Sequence, residues 1–362
     1  MWLALVLACG PDTTAPGGTH ALVVEGGSGS GEYAAGDRIQ VWAGVDPQVA
    51  LASWSGDMLP DPPEWNGTIT MPDHDALAVA QSVAVDAPLV ERTYPTEAGD
   101  RTVLASVVAE PVGVVLFFHG AAYSVDQLRS NAGRTLTMAL VRAGYTVVAL
   151  PSTAEVAAGT GGWSADLADD NSDLVTTRAL VDAMRSDGTI RSGSPVFAWG
   201  MSSGAQFASV VGAALPTDGV VSFCAPGTAD AIAETSAPTA WYLASMDRTF
   251  PTAVADATGF ASQLGARGIA SEVYVHPPTP LYDARFERIT EIDADLSREL
   301  ADALRASGAV DAAGIVAVGA EIDVDAELRE AVVAEIEIMA ADHELYDDVA
   351  VRMVGFLDGL GR

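Results

Sequence analysis

The chain has 362 residues, 49% of them hydrophobic, which is enough for one large domain and a smaller one. It carries 49 acidic residues against 18 basic ones, all arginine, so the formal net charge is −31. Such a surface repels phosphate backbones, so we expect no nucleic-acid partner. The charge indicates a solvated acidic surface, with steering of a cationic substrate as the alternative. The two cysteines, Cys9 and Cys224, are too few for a disulfide framework.

The chain begins with an apolar run over residues 1–8 that is too short to span a bilayer. Residues 6–10, Val-Leu-Ala-Cys-Gly, resemble the lipobox of bacterial lipoproteins. This resemblance implies that Cys9 is lipidated, with residues 1–19 acting as signal and tether. It also implies a location at the bacterial cell envelope or outside the cell, with membrane contact only through the lipid anchor. A soluble secreted form is the alternative.

Residues 20–83 have the composition of a small β-rich module. Strands are predicted over residues 21–24, 38–43 and 76–80, and the glycine-rich run at 26–31 is incompatible with a helix. Four landmarks follow in order: a glycine-rich turn at 29–33, Ala-Gly-Asp at 35–37, Trp-Ser-Gly-Asp at 54–57 and Thr-Met-Pro at 70–72. This order resembles a divergent internalin B-repeat module. The resemblance implies a β-grasp-like spacer or adhesive unit of a bacterial surface protein.

Three tryptophans lie within this module, at Trp42, Trp54 and Trp65. We expect them to form the core of a small domain. The alternative is an aromatic face that binds a glycan or another polymer.

From residue 84 to residue 362, strand-like and helix-like runs alternate. Strands are predicted over 102–108, 113–118, 146–150, 196–199, 220–224, 240–244 and 272–275, and helices over 127–143, 173–184 and 205–215. Alternation of this kind builds a mostly parallel sheet with helices on both faces. We expect eight strands in this sheet, so that the run at 113–118 is the third strand, the run at 196–199 the fifth and the run at 240–244 the seventh.

One G-x-S-x-G pentapeptide occurs in the chain, Gly200-Met201-Ser202-Ser203-Gly204. An apolar run of strand length precedes it, and a run of small residues compatible with a helix follows it. A strand, a sharp turn and a helix are the setting in which this motif exposes a nucleophilic serine. The glycines leave room for the tight turn and for the helix to pass close by. Ser202 is therefore the candidate nucleophile, and an ordinary glycine-rich turn is the alternative.

A second motif, His119-Gly120-Ala121, ends the third predicted strand. Together with eight strands and a serine after the fifth, it makes residues 84–362 resemble an α/β-hydrolase, in which a His-Gly-x loop at this point forms the oxyanion hole. The resemblance implies that the backbone N–H groups of Ala121 and Ser203 bind the oxyanion. We expect His119 to have a structural role in tying the loop down.

The serine hydroxyl needs a base, and two of the five histidines compete for that role. His276 ends the last predicted strand, close to where the simplest α/β-hydrolases place their base. His343 lies in a loop just before the amphipathic run at 349–357, which is where the family supplies its histidine. We expect His343 to be the base, with His276 as the alternative or as a packed strand-end residue. His20 and His74 lie in the β-rich module at 20–83 and are expected at the surface.

The imidazole needs a carboxylate that holds it in one tautomer. Asp247 follows the seventh predicted strand, where the family places this residue. The order Ser202, Asp247, His343 is also that of the family. Asp230, after the sixth strand, is the weaker alternative.

Residues 277–342 exceed what the minimal fold needs, and amphipathic helices are predicted over 296–307 and 326–341. An insertion just before the catalytic histidine is expected to cover the active-site mouth as a lid or cap. Simple packing or a contact with another subunit are the alternatives.

Taken together, the resemblance implies a metal-independent serine hydrolase that needs no cofactor. Its substrate would be a carboxylic ester, either a small molecule or a polymer, cleaved through an acyl-enzyme. Two alternatives stay open. The same triad could cleave an amide or peptide bond, or an inactive hydrolase fold could serve as a surface binding or adhesion protein.

Overall fold

The computed structural model describes residues 18–44, 49–61, 64–96 and 99–360, so Cys9 lies outside the described residues. The strands are β1 Thr19–Glu25, β2 Gly27–Ser28, β3 Gly31–Ala34, β4 Arg38–Ala43, β5 Val49–Gly56, β6 Asn66–Thr70, β7 Ala76–Ala84, β8 Leu89–Tyr94, β9 Arg101–Ser106, β10 Gly113–Phe118, β11 Tyr145–Leu150, β12 Val196–Met201, β13 Gly219–Phe223, β14 Thr239–Ala244 and β15 Ser271–His276. The helices are α1 Asn131–Arg142, α2 Thr153–Ala158, α3 Ser172–Asp187, α4 Ser203–Ala214, α5 Ala229–Glu234, α6 Ala253–Ala266, α7 Ala294–Ala306, α8 Arg329–Met339 and α9 Ala350–Leu360, with 3₁₀ helices at Val125–Arg129 and Arg285–Arg288. Within these described ranges, no helix has the length and apolar character needed to cross a membrane.

The largest sheet has eight strands in the order β15-β14-β13-β12-β10-β11-β9-β8. Only β9 runs antiparallel to its neighbours in this sheet, and the other neighbouring pairs are parallel. The mostly parallel eight-stranded sheet predicted from the sequence is thereby confirmed. Because parallel strands end at one edge, the loops after β10, β12 and β14 open on the same side, where open α/β sheets bind their ligands.

The central strands are buried on both faces, which explains their continuous apolar sequences. In β10, Val115 and Phe117 pack into the core that also contains residues of α1 and α9. The alternating residues Val114, Leu116 and Phe118 pack instead with residues of α3 and α4. The sheet therefore carries helices on both faces, as predicted.

Residues 19–84, here called the front module, form two small sheets with the strand orders β3-β1-β7-β5 and β2-β4-β6. Trp42, Trp54 and Trp65 are 3%, 7% and 6% exposed. Trp54 and Trp65 belong to the apolar core, as expected. The expectation is wrong for Trp42, which is buried beneath Arg285 and Arg288 of the insertion. The likeness of this module to internalin repeats stays a prediction.

The insertion at 277–342 contains the 3₁₀ helix at Arg285–Arg288 and the helices α7 and α8. It has an apolar cluster of its own, which includes Phe286, Leu300 and Ile336. Glu337 of α8 lines the same cavity as Ser202. The insertion thus forms one wall of the candidate site.

Candidate active site

The turn between β12 and α4 holds Ser202 in an unusual backbone conformation, with φ 56° and ψ −120°. Glycine is required on both sides of this turn, because a larger side chain would clash with neighbouring backbone atoms. A Cβ at Gly200 would lie 2.1 Å from the carbonyl oxygen of Gly204, and a Cβ at Gly204 would lie 2.0 Å from that of Phe118. Helix α4 therefore passes so close to β10 and β12 that a side chain is excluded, as expected for a nucleophile elbow.

Three residues other than glycine have positive φ in the described part of the chain, namely Ser202, Cys224 and Ala341. All three lie around the same site: Cys224 contacts the His343 loop through a hydrogen bond to the Glu344 carbonyl, and Ala341 accepts one from Met246 N–H. Strained backbone of this kind costs about 1–3 kcal/mol per residue and persists where the surroundings over-determine it. The strain is therefore concentrated where the candidate chemistry lies.

The structure brings Ser202, His343 and Asp247 together, although 141 and 96 residues separate the paired positions. His343 Nε2 lies 2.8 Å from Ser202 Oγ, and His343 Nδ1 lies 2.7 Å from Asp247 Oδ2. The imidazole thus connects the hydroxyl to the carboxylate in one line of hydrogen bonds. This is the geometry in which a histidine takes the proton of a serine while the carboxylate stabilises the imidazolium.

The Asp247 carboxylate is fixed on both oxygens. Its Oδ1 accepts hydrogen bonds from the backbone N–H groups of Thr249 and Phe250, at 2.8 and 2.7 Å. Its side chain is 2% exposed and that of His343 is 15% exposed. The weaker candidate, Asp230, lies exposed in the first turn of α5.

His276, the other candidate base, packs beneath the insertion. It is 1% exposed, and its Nε2 lies 3.1 Å from the carbonyl oxygen of Ile338. Its ring stacks on Tyr346 with 4.4 Å between centroids. His276 therefore has the surroundings of a structural residue.

The predicted oxyanion donors lie beside the serine. Ala121 lines the same cavity as Ser202, and Ser203 opens α4, so its N–H has no partner within that helix. Gly162 contacts both residues, since a Cβ there would lie 3.2 Å from Ala121 Cβ and 3.2 Å from Ser203 Oγ. The N-terminus of α4 also carries the positive end of the helix dipole, which favours an anion here.

The loop that carries Ala121 is tied down by buried contacts. Gly120 N–H donates to Gln127 Oε1 at 2.9 Å, and Trp163 Nε1 donates to the His119 carbonyl oxygen at 3.1 Å. The His119 side chain is fully buried, with Nε2 2.8 Å from a Glu155 carboxylate oxygen. These contacts hold the loop without placing His119 beside the serine.

The cavity around Ser202 has a volume of about 380 Å³, and three charged side chains other than the triad lie on its wall. Arg248 donates to the buried carboxylate of Asp342, with Nε 2.7 Å from Oδ2. It also lies 4.0 Å from Glu337. Burial and the nearby Asp342 raise the pKa of Glu337. Sequence reasoning missed Arg248 and Glu337, although Arg248 directly follows Asp247.

Glu344, which directly follows His343, was also missed. Its buried carboxylate accepts hydrogen bonds from Tyr123 Oη and from Leu345 N–H, both at 2.6 Å. Burial raises the pKa of Glu344 to about 7, against the lowering effect of these two hydrogen bonds. Burial and the charge of Glu344 raise the pKa of Tyr123, so the phenol stays protonated and donates. This hydrogen bond ties the loop after His343 to the loop after β10, which carries Ala121.

Cys224 Sγ, an Asp247 oxygen and a His343 nitrogen all lie within 4.8 Å of one another, a spacing that could hold a metal ion. However, both nitrogens of His343 are engaged by Ser202 and Asp247. Burial raises the pKa of the Cys224 thiol, which donates to the Glu344 carbonyl oxygen at 3.2 Å. A protonated thiol is a poor metal ligand. The cluster therefore fits a hydrogen-bonded triad better than a metal site.

No protein-family model and no curated protein matches the sequence. Among solved structures, the chain is similar to an esterase of Pyrococcus furiosus (13% identity, TM-score 0.41), over 53% of this chain and 85% of that one. It is similar to an alpha-beta serine hydrolase homologue of Coxiella burnetii (14%, 0.41), over 58% and 96%. It is also similar to a dienelactone hydrolase of Anabaena variabilis (18%, 0.39), over 59% and 96%.

Structural similarity at these TM-scores says nothing about the activity of this chain. The fold follows from the strand order of the chain itself. Numbered 1 to 8 from β8 to β15, the strands of the large sheet lie in the order 1-2-4-3-5-6-7-8, with only the second antiparallel and the elbow after the fifth. The chain has the α/β-hydrolase fold.

We predict that Gly204→Ala disrupts the elbow, because the new Cβ would meet the Phe118 carbonyl oxygen at 2.0 Å. Overpacking of this kind costs about 1–3 kcal/mol or more. The matched control is Gly259→Ala in α6, where nothing lies within 4 Å of the new Cβ, and where alanine is favoured over glycine by about 1 kcal/mol. Denaturant unfolding measures both variants. Equal stability of the two would contradict the close-packed elbow.

We predict that Glu344 makes stability fall as the pH rises from about 4.5 to about 7, because the folded state holds the carboxyl proton that the unfolded chain releases. The stabilisation is fully present below the unfolded pKa and is lost as the pH passes the folded one. Glu344→Gln cannot ionise and should lack this part of the pH dependence. Denaturant unfolding across that range tests it, and identical pH profiles for variant and wild type would refute it.

Proposed function

We propose that this protein is a serine hydrolase that cleaves carboxylic esters through an acyl-enzyme. The observation that supports this most directly is the continuous line of hydrogen bonds from Ser202 through His343 to Asp247. A serine hydroxyl becomes a useful nucleophile only when a positioned base takes its proton. The strained elbow and the cavity in front of Ser202 support the same function.

In the first half of the proposed reaction, Ser202 Oγ attacks the carbonyl carbon while His343 Nε2 accepts the hydroxyl proton. Asp247 stabilises the imidazolium through the Nδ1 hydrogen bond. The negative charge that develops on the carbonyl oxygen is met by the N–H groups of Ala121 and Ser203. His343 then protonates the alcohol oxygen, the C–O bond breaks and the acyl group stays on Ser202.

In the second half, a water molecule takes the place of the alcohol. His343 accepts a proton from this water, whose oxygen attacks the acyl carbon. The same oxyanion donors stabilise the second tetrahedral intermediate. Its collapse releases the carboxylic acid and returns the proton to Ser202. Location at the cell envelope through a lipid on Cys9 stays a prediction from the sequence.

We expect Ser202→Ala to lose hydrolysis of nitrophenyl esters by about 10⁴-fold or more, because both half-reactions pass through its oxygen. The matched control is Ser262→Ala, a serine-to-alanine change on the exposed surface of α6, which should retain wild-type rates. Short- and long-chain esters are compared with aminoacyl anilides. Faster turnover of the anilides would replace the ester proposal by a peptidase, and equal rates for Ser202→Ala and wild type would eliminate the serine mechanism.

The base is tested by a second pair of variants. His343→Ala should abolish ester turnover, since nothing else then takes the Ser202 proton, whereas His276→Ala should keep most of it. Steady-state kinetics measure both, with circular dichroism as the check that each variant is folded. The reverse pattern would transfer the role of base to His276.

A further inference from the structure

The loop that carries His343 has little regular structure of its own. Residues 340–349, here called the histidine loop, connect α8 to α9 without a helix or strand. Its position therefore depends on contacts with the rest of the chain, in its middle through Glu344 and Tyr123 and also at its two ends. At the first end, Asp342 binds Arg248 through hydrogen bonds to the backbone N–H and to Nε, at 3.1 and 2.7 Å. At the other end, the contacts lead to the front module.

The front module packs firmly on the hydrolase domain. Its apolar core is continuous with the core on the α1 and α9 side of the large sheet. Arg142, at the end of α1, donates to the carbonyl oxygens of Leu51 and Ala52 in β5. A spacer that merely extends an enzyme from a surface would not need a shared core.

Trp42 of β4 lies beneath two guanidinium groups of the insertion. Arg285 Cζ is 4.8 Å and Arg288 Cζ is 5.2 Å from the centroid of the Trp42 ring. Cations at this distance over a tryptophan face are attracted by its quadrupole, most strongly when they are desolvated. None of the side-chain nitrogens of the buried Arg285 has a well-directed hydrogen bond. The Trp42 face therefore adds to the compensation that the nearby Glu335 carboxylate gives this charge.

The two arginines connect Trp42 to the histidine loop. Arg285 and Arg288 share the Glu335 carboxylate at 2.8 and 3.2 Å, and Arg288 Nη2 also binds Asp347 Oδ2 at 2.5 Å. The four side chains are at most 5% exposed, so two buried cations balance two buried anions. Removing one partner from such a group leaves an uncompensated buried charge and displaces the rest.

A second contact reaches the next residue of the same loop. Asn66 Nδ2 of β6 donates to Asp348 Oδ1 at 2.5 Å. The other oxygen of Asp348 lies 3.6 Å from His276 Nδ1, beneath the insertion. Trp42 and Asn66 occupy facing positions on the paired strands β4 and β6. One surface of the front module therefore contacts Asp348 directly, through Asn66, and reaches Asp347 through the Arg288 guanidinium over Trp42.

We propose that the front module holds the histidine loop in its catalytic position, with Trp42 and Asn66 as positioning residues. This rests on the proposed function of His343 as the base. Displacement of a catalytic group by about 1 Å can cost about a hundredfold in rate. The contacts of Asp347 and Asp348, four and five residues after His343, therefore control the distance from His343 Nε2 to Ser202 Oγ. The module is then a working part of the enzyme, besides any role at a surface.

The test uses two pairs of variants in the full chain. Trp42→Leu keeps apolar bulk but removes the aromatic face, whereas Trp42→Phe keeps a face for the guanidinium groups. Asn66→Asp places a carboxylate against that of Asp348. Its matched control is Gln81→Glu, which makes the same amide-to-carboxylate change at an exposed position of the same module. The Gln81 side chain forms hydrogen bonds with Ser53 and Ser55.

Hydrogen exchange measured by mass spectrometry and ester kinetics supply the two readouts. We expect Trp42→Leu and Asn66→Asp to speed amide exchange in the histidine loop and to lower kcat about tenfold or more, with KM changed less than about twofold. Trp42→Phe and Gln81→Glu should match wild type in both.

Wild-type loop exchange and wild-type kcat in both Trp42→Leu and Asn66→Asp would overturn the proposal. So would exchange that rises equally in α3 and α4, since that indicates general destabilisation. If the wild-type enzyme turns over no ester, the proposed function fails, and loop exchange alone then decides whether the module holds the loop.

Discussion

The close passage of α4 over the ends of β10 and β12 is the constraint on which the rest of the site depends. It leaves no space for a side chain at Gly200 or Gly204, and it holds Ser202 at φ 56°. The same contact places the Ser203 N–H at a helix N-terminus beside Ala121. The proposed nucleophile and the proposed oxyanion donors are therefore positioned together by one packing arrangement.

The proposed base, His343, is positioned differently, by charged contacts instead of close backbone packing. His343 lies in a loop without regular structure, and Asp342, Asp347 and Asp348 bind partners on three separate parts of the chain. Glu344 also accepts a hydrogen bond from Tyr123, which lies in the loop after β10. The strongly acidic composition thus has a local use here, because the carboxylates next to His343 bind arginines and polar donors from other parts of the chain. Glu344, whose pKa is raised by burial, adds a dependence on pH to this site.

Much of this could be predicted from the sequence, and the exceptions have physical reasons. The buried strands of the large sheet have continuous apolar runs, and Gly200 and Gly204 mark the elbow by composition alone. Strand β8 was not located, because its residues Val90 to Thr93 are exposed and leave no apolar pattern. Helix α6 was missed because only Ala253, Ala257 and Leu264 are buried, a weak stripe. The Trp42 contacts and the Glu344–Tyr123 bond join residues far apart in sequence, and no local spacing encodes them.

The central claim is that Ser202, and no other serine, is the activated nucleophile. A fluorophosphonate reacts covalently with a serine that a base has activated, and peptide mass spectrometry identifies the residue that carries the adduct. We expect a single adduct, on Ser202, that is lost when His343 is replaced by alanine. An adduct on Ser203 or elsewhere, or labelling that persists without His343, would contradict it.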